Sequence, residues 1–185
     1  KGMVVLTTPL TFLASANCIL YAGATPDFVD IDPQTWNLSV DHLQEKLEIA
    51  HNEGFLPKIL IPVHFAGQPT EQERIWELAQ KYGFKVLEDA SHSIGARRNG
   101  EPVGSCRWSD ITVFSFHPVK IITTGEGGMA LTNDPELHER MARLRTHGIT
   151  RDPEQMMRKP EGPWYYEQLE LGFNYRLTDI QSVLG

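Results

Sequence analysis

Lys120 combines a reactive side chain with a position where that reactivity could be used. It follows the apolar run 111–119 and precedes the glycine-rich segment 123–128. Lysine is strongly hydrated and is rarely buried without a partner. Loss of water favours the neutral amine, which can act as a nucleophile or form a Schiff base. Alternatively, Lys120 ends a strand and extends its ammonium group to solvent.

Asp89 is the second residue whose position suggests chemistry. It follows Glu88 at the carboxyl end of the strand predicted over residues 84–88. Ligands of open α/β sheets lie outside the carboxyl ends of the strands, although an aspartate there can also cap the next turn. Together, Asp89 and Lys120 suggest pyridoxal phosphate. The aspartate would keep the pyridine nitrogen protonated, and the lysine would bind the aldehyde covalently.

Composition restricts the class of protein. The 185 residues carry a formal net charge of −7, which argues against a general nucleic-acid-binding surface. No apolar stretch approaches the roughly 20 residues that a membrane-spanning helix needs. Cys18 and Cys106 lie far apart without a CxxC pattern, so neither a disulfide framework nor a zinc site is indicated. We therefore expect a cytoplasmic protein without a metal ion.

The elements that must position these residues alternate along the chain. Helices are predicted at 11–22, 39–51, 70–82 and 134–147, and strands at 3–6, 26–31, 58–63, 84–88, 111–116 and 129–132. This alternation is typical of an α/β fold with a largely parallel sheet that helices cover on both faces. Asn99-Gly100 predicts a small hairpin within 94–104, and the polar segment 149–170 is expected to be a functional loop.

Six blocks of sequence occur in an order that resembles a known family. They are Thr11-Phe12, Gly23-Ala24-Thr25-Pro26, Glu88-Asp89-Ala90-Ser91-His92, Phe114-Ser115-Phe116-His117-Pro118-Val119-Lys120, Gly125-Glu126-Gly127-Gly128 and Gly172-Phe173-Asn174-Tyr175-Arg176. Together they resemble the DegT/DnrJ/EryC1/StrS family of pyridoxal-phosphate-dependent sugar aminotransferases. The resemblance implies the large domain of a fold-type-I transferase, with a mostly parallel seven-stranded sheet flanked by helices.

The resemblance also implies roles for individual residues. Lys120 would hold the cofactor and move protons, while Asp89 would pair with the ring nitrogen. The other cofactor-binding residues would be His92 near the ring and its 3-hydroxyl, Ser115 at the phosphate, Phe12 stacked on the ring, and Asn174 from the segment that reaches the neighbouring subunit. A homodimer with shared active sites is implied. Phe12 could instead be part of the core, and the Ser115 hydroxyl could bond its own strand.

The expected substrates are a nucleotide-linked keto sugar and an amino-acid donor, usually glutamate in this family. Residues 140–159 are rich in arginine, and this local basic excess could receive a nucleotide diphosphate. The segments 147–152 and 162–167 resemble the branch that aminates UDP-4-keto-6-deoxy-N-acetylhexosamine towards pseudaminic acid. Arg151 and Tyr166 are therefore candidate substrate-binding residues. The basic residues could also form a solvated helix face.

The resemblance also predicts the domain organisation. We expect residues 1–185 to be part of the large cofactor-binding domain, truncated at both ends and lacking the small C-terminal domain. By itself, such a chain is expected to be inactive.

Three other functions match the sequence less well. Residues 125–130 match G-x-G-x-x-A, but a dinucleotide-binding motif opens a helix, whereas this one leads into a predicted strand. A metal hydrolase built on His64, His92, His117 and Asp89 has no ligand pair at i,i+4 spacing. A regulatory protein or a sugar dehydratase could share the fold. Related dehydratases replace the Schiff-base lysine with histidine, so Lys120 argues against that branch.

Overall fold

The computed structural model describes residues 2–185, and its main feature is a six-stranded sheet. The strands in chain order are β1 (Val4–Thr7), β2 (Thr25–Phe28), β3 (Ile59–Leu60), β4 (Lys85–Asp89), β5 (Arg97–Arg98), β6 (Glu101–Pro102), β7 (Ile111–Ser115), β8 (Gly128–Leu131), β9 (Ile149–Thr150) and β10 (Glu167–Gln168). The sheet order is β2-β1-β3-β4-β7-β8. Pairing is parallel except between β7 and β8. The predicted fold class is confirmed, and the described residues supply six strands rather than the seven expected.

Five α-helices occur in the described range. They are α1 (Ala14–Tyr21), α2 (Val40–Asn52), α3 (Gln72–Tyr82), α4 (Pro135–Leu144) and α5 (Asp179–Leu184). Local signals set their ends. The Ser39 hydroxyl accepts from the backbone N–H of His42 at 3.2 Å and caps α2. Gly83 ends α3 with a φ of 74°, a left-handed conformation that glycine adopts without steric cost.

The core lies on both faces of the sheet because alternate strand residues point to opposite sides. On one face, Leu6 and Leu60 pack with Leu43 of α2 and Ile75 of α3. On the other face, Val5 and Ile61 pack with Ile19 of α1 and Ala24. Helix α1 therefore covers the face opposite α2 and α3.

Two short antiparallel pairs lie outside the main sheet. Strands β5 and β6 form the predicted hairpin, with Asn99 and Gly100 at φ 49° and 84°. The segment 149–170 contains the pair β9–β10. Within residues 2–185, no helix is long and apolar enough to cross a membrane.

Glu88 forms a buried polar cluster on the α3 side of β4. Its carboxylate accepts hydrogen bonds from the Gln72 amide and, at 2.7 Å, from the Thr112 hydroxyl. His64 Nδ1 accepts from the backbone N–H of Thr70 at 3.2 Å, so the ring proton lies on Nε2, 3.7 Å from Glu88 Oε2. Burial raises the pKa of Glu88, but His64, Gln72 and Thr112 together outweigh it, and the pKa falls below its usual value.

Replacing Glu88 by glutamine is expected to destabilise the protein and to weaken its pH dependence. A lowered folded-state pKa means that the carboxylate stabilises the fold above its unfolded pKa, about 4.3, and that this stability is lost as the pH falls through the folded pKa. In Glu88→Gln, the new amide N–H faces one of the two groups that donate to the carboxylate, Gln72 or Thr112. The lost hydrogen bond costs roughly 1–3 kcal/mol at pH 7. Urea unfolding at several pH values measures both effects.

Glu48→Gln, on the exposed face of α2, is the matched control and should leave the free energy of unfolding nearly unchanged. A Glu88→Gln protein with wild-type stability and a wild-type loss of stability between roughly pH 5 and 3 would contradict the assignment.

Candidate functional site

The candidate site lies at the sheet edge where β3, β4 and β7 end. Because these strands are parallel, their carboxyl ends meet at this edge. Asp89, the last residue of β4, is fixed by backbone hydrogen bonds to the chain beyond β3. Its N–H donates to Pro62 O at 2.9 Å, and its carbonyl accepts from the His64 N–H at 3.1 Å.

The Asp89 carboxylate is half-buried and accepts hydrogen bonds at both oxygens. Ser15 Oγ, from the first turn of α1, donates to Oδ2 at 2.7 Å. Ser91 donates to Oδ1 through its hydroxyl at 2.6 Å and its backbone N–H at 3.2 Å. Together these bonds fix the plane of the carboxylate group.

Cys18 lies one turn along α1 from Ser15, and the charge of Asp89 acts on its thiol as well. Burial raises the pKa of the Cys18 thiol, and the negative charge of Asp89 raises it further. The thiol is therefore held in its neutral, less reactive form.

Lys120 lies in the loop that joins β7 to β8. The loop closes on itself, because the Phe116 N–H donates to Gly127 O at 2.8 Å and the Thr124 N–H donates to Phe116 O at 3.1 Å. The Lys120 N–H donates to His117 O at 2.9 Å and holds the turn that presents the half-buried side chain.

The structure brings Lys120 and His92 together. The Lys120 Nζ lies 2.7 Å from His92 Nε2, a hydrogen bond in which the imidazole tautomer decides the donor. Among residues 2–185, no carboxylate lies within ion-pair distance of this amine. His92 is therefore the side chain that holds and orients the Lys120 amine in the described chain.

Ser115 and Phe12 are the next two proposed cofactor-binding residues. Ser115 is the last residue of β7, and its Oγ accepts from the His117 N–H at 3.4 Å. The Phe12 ring precedes α1 and is 77% exposed, so it is not part of the core.

Asn174 lies on a segment bonded along the end of α4. The Phe173 N–H donates to Leu144 O at 2.7 Å, and Asn174 bridges Thr146. Glu170 anchors the segment to α4, because Arg143 and Arg140 bind its two carboxylate oxygens. These guanidinium groups, Arg143 first, lower the pKa of Glu170. The Asn174 side chain itself is exposed.

Arg151 and Tyr166 are the two proposed substrate-binding residues. Arg151 lines an open cavity of about 300 Å³ with His138, Arg143 and Thr150, and Tyr166 is 52% exposed. Across the described chain, no hydrogen bond joins either residue to Lys120, Asp89 or His92. In the same residues, no group of three or more histidine, cysteine, aspartate or glutamate side chains could hold a metal ion.

Sequence reasoning missed Ser15. It predicted a helix over 11–22 but gave this serine no role, because Ser15 and Asp89 are 74 residues apart. The only signal was that Ser15 lies on the same face of the predicted helix as its apolar residues. This placement does not indicate which residue the serine binds.

Comparison with known proteins adds relatives that match nearly the whole chain. An uncharacterized protein of Methanocaldococcus jannaschii, MJ1066, is 45% identical over 98% of this chain and 45% of its own length. A UDP-4-amino-4,6-dideoxy-N-acetyl-beta-L-altrosamine transaminase of Campylobacter jejuni is 40% identical over 100% of the chain and 45% of its own length. A GDP-perosamine synthase of Caulobacter vibrioides is 40% identical over 100% and 44%. The chain thus spans about 45% of the length of these relatives.

Solved structures share the fold of this chain. Helicobacter pylori PseC, an aminotransferase involved in the biosynthesis of pseudoaminic acid, matches with a TM-score of 0.84 and 35% identity, over 98% of this chain and 44% of that one. The PLP form of Spr1654, a putative sugar aminotransferase from Streptococcus pneumoniae, matches with a TM-score of 0.80 and 28% identity, over 100% and 48%.

The sequence profile of one family matches residues 1–185, the whole chain. Pyridoxal phosphate is the cofactor of that family. The fold, the relatives and the ordered motifs lead to the same assignment: this chain belongs to the DegT/DnrJ/EryC1/StrS aminotransferase family.

Proposed function

We propose that the full-length protein is a pyridoxal-phosphate-dependent aminotransferase. It would move an amino group from an amino acid, with L-glutamate as the expected donor, to C4 of a nucleotide-linked 4-keto-6-deoxy sugar. The observation that carries the proposal is the Lys120 amine, hydrogen-bonded to His92 at 2.7 Å and located at the same sheet edge as Asp89.

The residues at this edge fit the cofactor. Lys120 is an amine without a carboxylate partner in the described chain, as a residue that must bind an aldehyde requires. Asp89 is a carboxylate fixed at both oxygens. When bound, pyridoxal phosphate supplies an electron sink for the charge that develops as a carbon–hydrogen bond breaks. His92, Ser115, Phe12 and Asn174 are the further residues proposed to contact it.

Lys120 would bind the cofactor covalently and then act on protons. Its amine would be the group that removes the proton from the donor carbon and that delivers a proton in the second half-reaction. His92 lies close enough to take up or return a proton at Lys120 Nζ. The contact with His92 would also orient the amine for these transfers.

Asp89 would act by electrostatics. A unit-charge pair about 4 Å apart is worth roughly 4 kcal/mol at an effective dielectric constant of 20. That energy is enough to keep a ring nitrogen protonated beside the carboxylate at neutral pH. The hydrogen bonds from Ser15 and Ser91 fix the direction in which the Asp89 carboxylate points, as this role needs.

The expected domain and subunit organisation stay predictions. We propose that residues 1–185 belong to the large cofactor-binding domain and that two copies of the full-length protein share active sites. The anchored segment around Glu170 supports a rigid projection of Asn174, which would contact the neighbouring subunit's cofactor. A cytoplasmic location is likewise a prediction.

For the substrate, we propose UDP-2-acetamido-2,6-dideoxy-hexos-4-ulose, as in pseudaminic acid biosynthesis. The cavity beside Arg151 offers that guanidinium group for a diphosphate, and Tyr166 is exposed for contact. Relatives named for UDP-linked and GDP-linked sugars are both 40% identical to this chain. A GDP- or dTDP-linked sugar is therefore the alternative within the family. A regulatory protein without activity is the alternative outside it, and the Lys120–His92 pair argues against that alternative.

Lys120→Ala is expected to lower turnover by at least about 100-fold, because the covalent amine and the proton-transfer group are lost together. Thermal unfolding should change little, since the side chain is only half-buried. Borohydride reduction and peptide mapping of the full-length wild type should place a pyridoxyl group on Lys120. Lys81→Ala, on α3, is the matched control and should leave turnover unchanged. A pyridoxyl adduct at another lysine, or Lys120→Ala turnover within about tenfold of wild type, would refute the role.

The substrate is tested with the full-length protein, L-glutamate and a panel of UDP-, GDP- and dTDP-linked 4-keto-6-deoxy sugars. The UDP-linked N-acetyl sugar should give an aminated product, measured by mass, with the highest kcat/KM. Arg151→Ala should raise KM more than it lowers kcat, because a diphosphate contact contributes mainly to binding. Preference for a GDP- or dTDP-linked sugar would select the family alternative, and no product with any sugar would favour a regulatory role.

A further inference from the structure

We propose that Ser15 is a positioning residue for Asp89 and that Thr11 and Ser15 form a hydroxyl relay aimed at its carboxylate. The proposal rests on the proposed function, because it assigns Ser15 the task of presenting one carboxylate oxygen to the cofactor ring. Ser15 itself would not touch the cofactor.

The two carboxylate oxygens of Asp89 accept different numbers of hydrogen bonds. Oδ1 accepts two bonds from Ser91, one from the hydroxyl and one from the backbone N–H. Oδ2 accepts one, from Ser15 Oγ. Each carboxylate oxygen can accept about two hydrogen bonds. Oδ2 therefore retains an acceptor position, and Ser15 fixes the direction in which that position points.

The direction of the relay follows from counting protons. Ser15 has one hydroxyl proton, and a charged carboxylate can only accept, so that proton goes to Asp89. Thr11 Oγ1 lies 2.8 Å from Ser15 Oγ and must then be the donor of their bond. Each bond polarises the next, which strengthens the hold on Oδ2. Thr11 also directly precedes Phe12, the proposed ring-stacking residue.

Ser15 and Ser91 constrain the carboxylate in different ways. The Ser91 bonds are local, two residues along the chain, and form part of the turn after β4. The Ser15 bond spans 74 residues and joins α1 to the sheet edge, and Ser15 is only 4% exposed. Without the Ser15 bond, the carboxylate keeps its hydrogen bonds to Ser91 but can rotate relative to α1. Water cannot easily replace a hydroxyl that is buried to this extent.

The test compares full-length Ser15→Ala with Ser15→Thr. Ser15→Ala should raise the dissociation constant of pyridoxal phosphate about tenfold, because a hydrogen bond to a charged group is lost. It should also shift the pH dependence of the bound cofactor's absorbance, which reports protonation of the cofactor's bond to Lys120 and responds to the charge on the ring nitrogen. Ser15→Thr keeps the hydroxyl and should recover most of the affinity. Titration of cofactor-free protein gives both quantities without an activity assay.

Two further variants separate positioning from general stability. Ser39→Ala removes the cap of α2 and should lower stability while leaving the dissociation constant unchanged. Thr11→Val keeps Ser15 and should weaken cofactor binding about threefold. That variant is decisive if Ser15→Ala does not fold.

The outcomes distinguish this proposal from the proposed function. The role of Ser15 would be overturned if Ser15→Ala kept wild-type affinity and spectra, or if Ser15→Ala and Ser15→Thr lost equal affinity. If Ser15→Ala is unfolded, wild-type affinity in Thr11→Val would overturn it. Borohydride labelling of wild-type Lys120 in the same preparations would show that the proposed function survives this result. Absence of that label would overturn both.

Discussion

The parallel pairing of β4 with β7 is the constraint on which the candidate site depends. The register sets Leu87 beside Ile111 and Asp89 beside Val113, so both strands end at one edge of the sheet. Asp89 closes β4 at that edge, and the chain leaves β7 there to form the Lys120 loop. A shift of one residue would turn Asp89 towards the α3 side and replace it with Glu88. The apolar partners of both strands oppose such a shift.

Two neighbouring acids therefore have different surroundings. Glu88 points to the α3 side, where Gln72 and Thr112 enclose it, and Asp89 points to the α1 side, where Ser15 reaches it. The first is almost fully buried and contributes to holding the strand end. The second is half-buried and can reach a ligand. Because side chains alternate between the two faces of a strand, one of these adjacent acids stabilises the fold and the other faces the candidate site.

Local chemistry made much of this predictable from the sequence. The cap at Ser39, the glycine stop at Gly83 and the Asn99-Gly100 hairpin depend on neighbouring residues, and the structure has all three. The fold class and family followed from alternation and ordered motifs. The order of the strands, the Ser15–Asp89 bond and the cluster around Glu88 could not be predicted, because they join residues far apart along the chain. Their partners become evident only once the sheet is assembled.

The reversal of direction at β8 explains why Lys120 remains at the edge. A parallel crossover would carry the chain over a face of the sheet, usually through a helix. Instead, β8 returns antiparallel to β7, so residues 116–127 begin and end at the same edge and close through Phe116 and Gly127. Gly128 permits the close return, since a Cβ there would lie 2.9 Å from Phe114 O. The short closed loop limits the reach of Lys120, and within that reach its amine meets His92.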